Sequence, residues 1–305
     1  QIVGGVTRTL SGIAYVIWGH GGSRPFVDID LANFTSAVGF RMYGADSADR
    51  FGFSLSGVGD VNGDHIDDFV VGARYKKIGS FPQAGAAYIM YGHSAATPFP
   101  DLDMLSFVPG PSTGYMIQGL NIGDNMGVSV SRAGDIDGDG GEDIIVGAFS
   151  ADYPGRINSG VSYVLYGAPP SPSAMPTRTP TLQPSAQPSQ STLSGYSILG
   201  AKEGDHSGSG VSEAGDVNGD GFGDIIVASH LADDDTANSG TAYVLFGSPV
   251  QRFADVDLLS FVSGTDVGFR VIGSSTAMKL GRSVSAAGDV NGDGYDDILI
   301  GANPT

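Results

Sequence analysis

One acidic stretch recurs four times along this chain of 305 residues. Each copy begins with Gly-Asp, continues with Asp, Asn and Gly, and ends in a run of aliphatic residues. The copies occupy Gly59–Ala73, Gly134–Ala148, Gly215–Ser229 and Gly288–Ala302. Their first aspartates are spaced 75, 81 and 73 residues apart. Such a period indicates a series of similar structural units, stacked so that neighbours bury each other's apolar faces.

Three further segments recur around each acidic stretch in a fixed order. They are rich in β-branched and aromatic residues and are separated by Gly, Asp and Ser, which is typical of short strands joined by turns. No segment has a helical period with caps. In chain order the segments are Ser11–Gly19, Ala84–Gly92, Ser159–Gly167 and Ser239–Gly247; then Gly39–Gly44, Gly114–Gly119, Gly195–Gly200 and Gly268–Gly273; then Phe51–Ser56, Met126–Ser131, Ser207–Ser212 and Leu280–Ser285.

Four short strands per unit are the content of one propeller blade. The sequence therefore predicts an all-β fold, a β-propeller-like array of four-stranded blades with repeat units at about 11–73, 84–148, 159–229 and 239–302. The apolar strand after each loop also has a fifth copy at the N-terminus, in Gln1–Gly5. Two explanations stay open. The chain is a window of a longer repeat array or larger propeller, or the extra strand pairs with a neighbouring chain, as in a fibre.

Residues 168–194 break the repeat. This insert is rich in Pro, Ser, Thr and Gln, and it replaces the segments Phe99–Gly110 and Phe253–Gly264 of two other units. Its composition predicts an extended, polyproline-like connection. Ser/Thr-rich stretches with proline are also typical carriers of O-glycans.

Charge and composition exclude several classes of partner. The formal net charge is −18, with 33 acidic residues against 15 Lys and Arg, so neither nucleic acid nor an anionic membrane surface is an expected partner. The absence of cysteine excludes disulfides and Cys-type zinc sites. The sequence contains no run of eighteen apolar residues, so it predicts no membrane-spanning helix. No signal peptide is recognised at the N-terminus, which looks cropped.

The acidic stretches have the composition of cation-binding loops. Oxygen-bearing side chains at alternate positions converge when the backbone wraps around one point, and glycine at position 4 of every loop supplies curvature. Such a set suits Ca²⁺ better than Mg²⁺, which demands octahedral geometry. The predicted ligands at positions 1, 3, 5 and 9 are Asp60, Asn62, Asp64, Asp68; Asp135, Asp137, Asp139, Asp143; Asp216, Asn218, Asp220, Asp224; Asp289, Asn291, Asp293, Asp297. The predicted backbone carbonyls at position 7 belong to Ile66, Gly141, Phe222 and Tyr295.

Two other structures are compatible with an acidic loop of this length. An EF-hand needs a glutamate at position 12 followed by a helix, whereas position 12 here is aliphatic in every copy, at Val71, Val146, Val227 and Ile300. An acidic turn that merely caps a strand is the simpler alternative. It does not explain why the loops concentrate 13 of the 33 acidic residues at equivalent positions, where unneutralised carboxylates repel. The sequence therefore predicts about four bound Ca²⁺ ions.

The order of these segments resembles the FG-GAP repeat of the integrin α-subunit β-propeller, most clearly over Phe51–Ala73. The resemblance implies blades with calcium-binding hairpin loops, which lie at one face of the propeller and rigidify it. It assigns the ligand roles to the sixteen side chains named above. Three features depart from the family pattern: His65 replaces glycine, Ser207 and Gly210 replace an aromatic residue and a serine, and four repeats stand where the family has seven.

The function favoured by the sequence is a calcium-stabilised extracellular scaffold or adhesion module that binds protein or glycan ligands. The alternative is a structural subunit of an extracellular fibre, joined by strand sharing. An enzyme is not expected, because neither G-x-S-x-G nor H-E-x-x-H occurs. Placement outside the cell, or at its surface, follows because open loops of this kind suit millimolar calcium. Asn33 begins the only N-glycosylation sequon and is a candidate glycosylation site.

Two more series repeat with the strands. Aromatic residues recur in the strand after each connection, and their regular place predicts packing inside and between blades rather than a sugar-binding ladder. They are Tyr15, Tyr88, Tyr163 and Tyr243, with Trp18, Tyr91, Tyr166 and Phe246 three residues later. A D-x-D pattern recurs in Phe26–Leu31, Phe99–Leu105 and Phe253–Leu259, and it predicts an outer strand rather than a second metal site.

Overall fold

The computed structural model describes residues 2–3, 6–19, 28–94, 99–169, 194–234, 236–249, 255–264 and 266–303. Most of the predicted Pro-rich insert, residues 170–193, lies outside the described residues. The regular structure of the described chain is β, apart from three 3₁₀ turns at Leu31–Asn33, Met104–Ser106 and Leu258–Ser260. The predicted all-β class is therefore confirmed. None of the helical segments described is long and apolar enough to cross a membrane.

The strands form a series of antiparallel sheets, numbered here in chain order. The second sheet has the order β5 (Phe51–Gly59), β6 (Asp68–Ala73), β7 (Ala86–Met90), β9 (Gly114–Gln118). The third sheet consists of β10 (Met126–Gly134), β11 (Asp143–Ala148), β12 (Val161–Leu165), β13 (Gly195–Leu199) and a short fifth strand, β17 (Val256–Asp257). The fourth consists of β14 (Ser207–Gly215), β15 (Asp224–Ser229), β16 (Thr241–Leu245) and β18 (Gly268–Ile272).

These three sheets are flanked by smaller ones. The first sheet consists of β3 (Ile13–Ile17), β4 (Gly39–Tyr43) and a short strand, β8 (Leu102–Asp103). The fifth consists of β19 (Leu280–Gly288) and β20 (Asp297–Ala302), and a separate ribbon pairs β1 (Ile2–Val3) with β2 (Val6–Thr7). Each four-stranded sheet takes its first two strands from one sequence repeat and its last two from the next, so consecutive repeats interlock.

The first strands of consecutive sheets lie side by side. These inner strands are β5, β10, β14 and β19, and each packs on the next. Serine side chains join them: Ser54 Oγ donates to the Gly127 carbonyl at 2.8 Å, and the Val211 amide donates to Ser129 Oγ at 3.0 Å. Serines at equivalent positions of two repeated segments, Phe51–Ser56 and Met126–Ser131, therefore hold neighbouring sheets together.

The core lies between adjacent sheets, and the second strands β6, β11 and β15 are almost wholly buried on both faces, whereas β20 is only partly buried. Val70 of β6 packs in a cluster with the third sheet, whereas Val71 packs in a cluster with the first. In β15, Ile225 faces the third sheet and Ile226 faces the fifth. Successive strand residues point to opposite faces, so a strand between two sheets must be apolar throughout. This explains the continuous aliphatic run after every acidic loop.

The aromatic row packs largely as predicted. Tyr88 and Tyr243 are 2% and 1% exposed and contact Phe107 and Phe261 edge-on, at ring-centroid distances of 5.5 Å in both pairs. Trp18 is different, because 37% of it is exposed and its indole N–H donates to the Ser36 carbonyl. The tyrosines are therefore core residues rather than a ladder of exposed rings.

Two of the three D-x-D segments join one sheet to the preceding one, whereas the described part of the first, residues 28–31, contains no strand and leads into the 3₁₀ turn Leu31–Asn33. Strand β17 comes from the connection between β16 and β18 of the fourth sheet, but it pairs in parallel with β13 of the third. The Asp255 carboxylate accepts the Ser197 amide of β13 at 2.8 Å, and Asp257 forms two bonds of 2.7 Å with the Arg156 guanidinium. Strand β8 lies against β4 in the same way, with Asp101 and Asp103 bound to Arg41 and Arg8.

Removal of the Arg156–Asp257 contact is expected to destabilise the chain. Arg156→Leu should lower the free energy of unfolding by about 1 to 3 kcal/mol, because the guanidinium side chain is 13% exposed and also donates to the Gly200 carbonyl. Denaturant unfolding measures the change. Arg41→Leu is the matched control, since its pair with Asp101 is about one-third exposed and should contribute at most about 1 kcal/mol. If Arg156→Leu and Arg41→Leu lost the same free energy of unfolding, the buried Arg156–Asp257 pair would not be the more stabilising of the two.

Candidate metal centres

Each acidic loop is the hairpin that joins the first strand of a sheet to the second. Consecutive loops contact each other: the Asp216 amide donates to Asp296 Oδ2 at 2.8 Å, and the Gly223 amide donates to the Asp135 carbonyl at 3.0 Å. Side chains at position 7 add to these contacts, because the Phe222 ring lies over Gly138 and the Tyr295 ring over Gly219. The four loops therefore form one row at one end of the inner strands.

The backbone of each loop wraps around the aspartate at position 1. In the third loop, Asp216 Oδ1 accepts the amides of Gly219 and Asp220 at 2.7 and 3.1 Å, while Oδ2 accepts the Gly221 amide at 2.9 Å. The same bonds occur around Asp60 and Asp289. Asp side chains commonly bind amides a few residues later in turns, so the short polar residues shape the loop locally.

Positions 3 and 5 continue this pattern. Asn218 Oδ1 accepts the Asp220 amide at 2.9 Å, and Asp220 Oδ1 accepts the Phe222 amide at 2.9 Å. The left-handed backbone at position 6 is kept even where glycine is replaced, since His65 has a φ of 69° and Gly221 one of 89°. His65 thus fits the glycine position, as expected of a residue that tolerates this region.

The aspartate at position 9 has a structural role that the sequence did not reveal. Asp143 is fully buried, its Oδ2 accepts the Ile136 amide and its Oδ1 accepts the Gly167 amide, both at 2.9 Å. Gly167 lies just after β12, so this carboxylate ties the loop to the third strand of the sheet. Asp68 and Asp224 repeat the arrangement with Gly92 and Gly247. Each of these glycines ends a repeated strand segment, but the sequence pattern alone does not pair it with an aspartate 23 or 24 residues earlier.

Burial disfavours the charged form of these aspartates. Desolvation raises the pKa of Asp143 to about 7 and the pKa of Asp68 and Asp224 to about 6, although backbone amides that donate to each carboxylate oppose the shift. The nearby Asp137 and Asp135 carboxylates raise the pKa of Asp143 further. A cation beside such a group would restore the ionised form, because opposite charge lowers a carboxyl pKa.

Three carboxylates converge in the second loop. One oxygen each of Asp135, Asp137 and Asp143 lies within 4.8 Å of the others, and Asp137 and Asp143 are 3% and 0% exposed. An all-oxygen set of carboxylates, two of them buried, fits a hard cation such as Ca²⁺. Asp139 is not part of this group, and its Oδ1 accepts the Gly141 amide at 2.8 Å. In the three loops with Asn at position 3, the described acidic side chains form no group this close.

All sixteen predicted side-chain ligands lie in these four loops, but their roles as ligands, and those of the carbonyls at position 7, stay predictions. The fourth loop is the most open: Asp297 accepts the Val290 amide at 2.9 Å and is only partly buried. Asn33 lies elsewhere, in an exposed 3₁₀ turn, where its Nδ2 donates to Asp30 Oδ2 at 2.7 Å. Its glycosylation also stays a prediction.

Comparison with known proteins agrees with this geometry. A family model described as the FG-GAP repeat matches residues 51–90, 212–245 and 280–304. This chain carries FG-GAP repeats. The matched residues include three of the four acidic loops, and the loop at Asp135–Asp143 lies between them with the same strands on either side. The predicted resemblance, and with it the array of FG-GAP blades, is therefore confirmed.

The relatives that match this chain include integrin α subunits. Integrin alpha-PS2 of Drosophila melanogaster is 27% identical over 62% of this chain, and integrin alpha-PS5 of the same organism is 38% identical over 35%. Mouse phosphatidylinositol-glycan-specific phospholipase D is 29% identical over 52% of the chain. The aligned parts are 12%, 9% and 17% of these relatives, so the chain spans only a small fraction of their length.

Proposed function

We propose that this FG-GAP chain is a calcium-stabilised, non-catalytic adhesion module that acts outside the cell or at its surface. The convergence of Asp135, Asp137 and Asp143 supports this proposal most directly. Three carboxylates at this distance, two of them buried, repel one another when ionised, and a bound cation would offset that repulsion. Because the other loops share the same hairpin and hydrogen bonds, the proposal extends to about four Ca²⁺ ions.

The non-catalytic part of the proposal rests on how the carboxylates are used. Both oxygens of Asp143 and Asp224 accept backbone amides inside the protein, where no substrate would reach them. The integrin relatives favour an adhesion function, with extracellular protein or glycan ligands. The similarity to a phospholipase D is an argument for shared repeats rather than for catalysis, because the chain covers 17% of that enzyme.

Calcium titration tests the proposal. Isothermal calorimetry of chelator-treated protein should give about four Ca²⁺ per chain, and Asp135→Ala should reduce this number by one, because position 1 organises the whole loop. Asp137→Asn is the matched control, since it gives the second loop the Asn that the three other loops already have at position 3. The control should keep all sites. Absence of binding, or an unchanged stoichiometry in Asp135→Ala, would overturn the proposal.

A second candidate is a fibre subunit joined by strand sharing. In the described residues, β20 pairs only with β19 and β3 only with β4, so each has an open edge. The equivalent strands of the second sheet, β6 and β7, pair along their length, with Val70 opposite Ile89. An open edge is a template for another strand, so β20 of one copy could pair with β3 of the next. Sedimentation of the calcium-loaded protein distinguishes a single chain from multiples.

A further inference from the structure

The third and fourth acidic loops are bonded to each other through one reciprocal pair of residues. The Asp216 amide donates to Asp296 Oδ2 at 2.8 Å, and the Asp296 amide donates to the Asp216 carbonyl at 3.1 Å. Counted from the first aspartate of each loop, Asp216 occupies position 1 and Asp296 position 8. Two bonds in opposite directions fix both the distance and the orientation of the two backbones, so a movement of one residue strains its bonds to the other.

Asp216 is the residue around which the third loop is organised. Its carboxylate accepts the amides of three later residues, Gly219, Asp220 and Gly221. Its own backbone amide and carbonyl are the groups that Asp296 binds. The fourth loop therefore holds the third at the residue on which the shape of the third loop depends.

Asp296 lies between two predicted ligands of its own loop. The Tyr295 carbonyl precedes it and the Asp297 carboxylate follows it. A cation bound in the fourth loop would restrict both of these neighbours, and therefore Asp296 as well. When binding at one site orders groups that a second site also needs, the second ligand loses less conformational entropy, and the two sites bind cooperatively.

An aromatic ring adds a second contact between the same two loops. The Tyr295 ring lies over Gly219, where an added methyl group would overlap the ring. Gly219 is at position 4 of the third loop, and its amide donates to Asp216 Oδ1 at 2.7 Å. The ring therefore contacts the turn that the Asp216 carboxylate holds from the other side of the bond.

The contacts differ at the two earlier junctions of the row. Between the second and third loops, position 8 is Gly223, whose amide donates to the Asp135 carbonyl at 3.0 Å but which has no side chain to return a bond. Between the first and second loops, position 7 is Gly141, which has no ring, and the side chain at position 8, Glu142, binds Arg132 at 2.6 Å. Coupling is therefore expected to be strongest between the third and fourth loops.

We propose that Asp296 is a positioning residue for the neighbouring loop, so that calcium binding in the fourth loop strengthens calcium binding in the third. This inference rests on the calcium proposal above and adds a coupling between two of its sites. Coupling between binding sites is reciprocal, so an ion in the third loop strengthens binding in the fourth by the same factor. The first loop, at the far end of the row, binds independently of the fourth.

A residue-resolved calcium titration of the whole chain tests the coupling. The Gly221 amide, which donates to Asp216 Oδ2 at 2.9 Å, reports the third loop, and the Gly63 amide, which donates to Asp60 Oδ1 at 2.8 Å, reports the first. Nuclear magnetic resonance of glycine-labelled protein follows both amides as Ca²⁺ is added. Asp296→Ala should raise the calcium midpoint at Gly221 by about tenfold, within the usual range for coupled sites, and leave that at Gly63 unchanged.

Asp296→Asn is the matched control for this variant. It removes the charge of Asp296 but keeps a side-chain oxygen that can accept the Asp216 amide. It should therefore raise the midpoint at Gly221 far less than Asp296→Ala does. Equal shifts in the two variants would overturn the proposal, because they would reflect the loss of charge alone.

A second pair of variants empties one loop at a time. Asp289→Ala removes the aspartate around which the fourth loop wraps, and it should also raise the midpoint at Gly221. Asp60→Ala does the same to the first loop and should leave Gly221 unaffected. An unchanged midpoint at Gly221 in either Asp296→Ala or Asp289→Ala would overturn the coupling and leave the calcium proposal intact. Absence of any calcium response at Gly221 in the wild-type chain would overturn both for this loop.

Discussion

Chelation of calcium is expected to lower the melting temperature of this chain by about 10 to 20 °C. A ligand at about tenfold excess over its dissociation constant stabilises the folded state by about 1.4 kcal/mol per site. Four sites then contribute about 5 to 6 kcal/mol, and a chain of this size loses roughly 2 to 4 °C per kcal/mol. Thermal unfolding followed by circular dichroism, with about 1 mM Ca²⁺ or with excess chelator, measures the difference.

The size of the effect follows from the positions of the loops. Asp68, Asp143 and Asp224 are at most 2% exposed, and each ties its loop to the third strand of the same sheet. Calcium is therefore expected to stabilise whole sheets rather than only the surface turns. Magnesium should not replace it at equal concentration, because it demands octahedral geometry. An unchanged melting temperature after chelation would identify the loops as acidic turns that merely cap a strand.

The second large effect is expected for Gly160→Ala, which should lower the free energy of unfolding by more than about 4 kcal/mol. Gly160 precedes β12 and has a φ of 81°. A methyl group at this position would overlap the backbone carbonyl and amide of Ser207, the first residue of the next inner strand. Backbone cannot move aside as a flexible side chain can, so the two sheets would have to separate. Denaturant unfolding, or loss of soluble protein, reports the change.

Gly155→Ala is the matched control for this prediction. Gly155 has the same φ of 81°, but an added methyl group would meet no atom within 4 Å. Its cost should be that of the left-handed backbone alone, about 1 to 2 kcal/mol. If both variants lost the same stability, close packing at Gly160 would not be the cause. Equivalent close approaches occur at three other junctions, at Gly12, Gly85 and Gly240.

Local features of the fold were predictable from the sequence. Strand segments, hairpin loops and the position of each turn depend on neighbouring residues, and the repeats showed them four times. The apolar run that follows Asp143 indicated a strand, and the structure adds that its two faces pack against different sheets. The second role of Asp143 was not predictable, because its partner Gly167 lies 24 residues away, beyond β12. Local pattern carries no information about such a bond.

The sequence by itself determined the repeat, the all-β class and the residues of the acidic loops, since each of these arises from interactions within one short segment. Only the tertiary structure decided which elements meet. In the folded chain, consecutive repeats contribute strands to the same sheet, and Asp257 pairs with Arg156, which lies 101 residues away in the sequence. Such contacts join residues far apart in the chain, so they exist only because neighbouring sheets pack against each other.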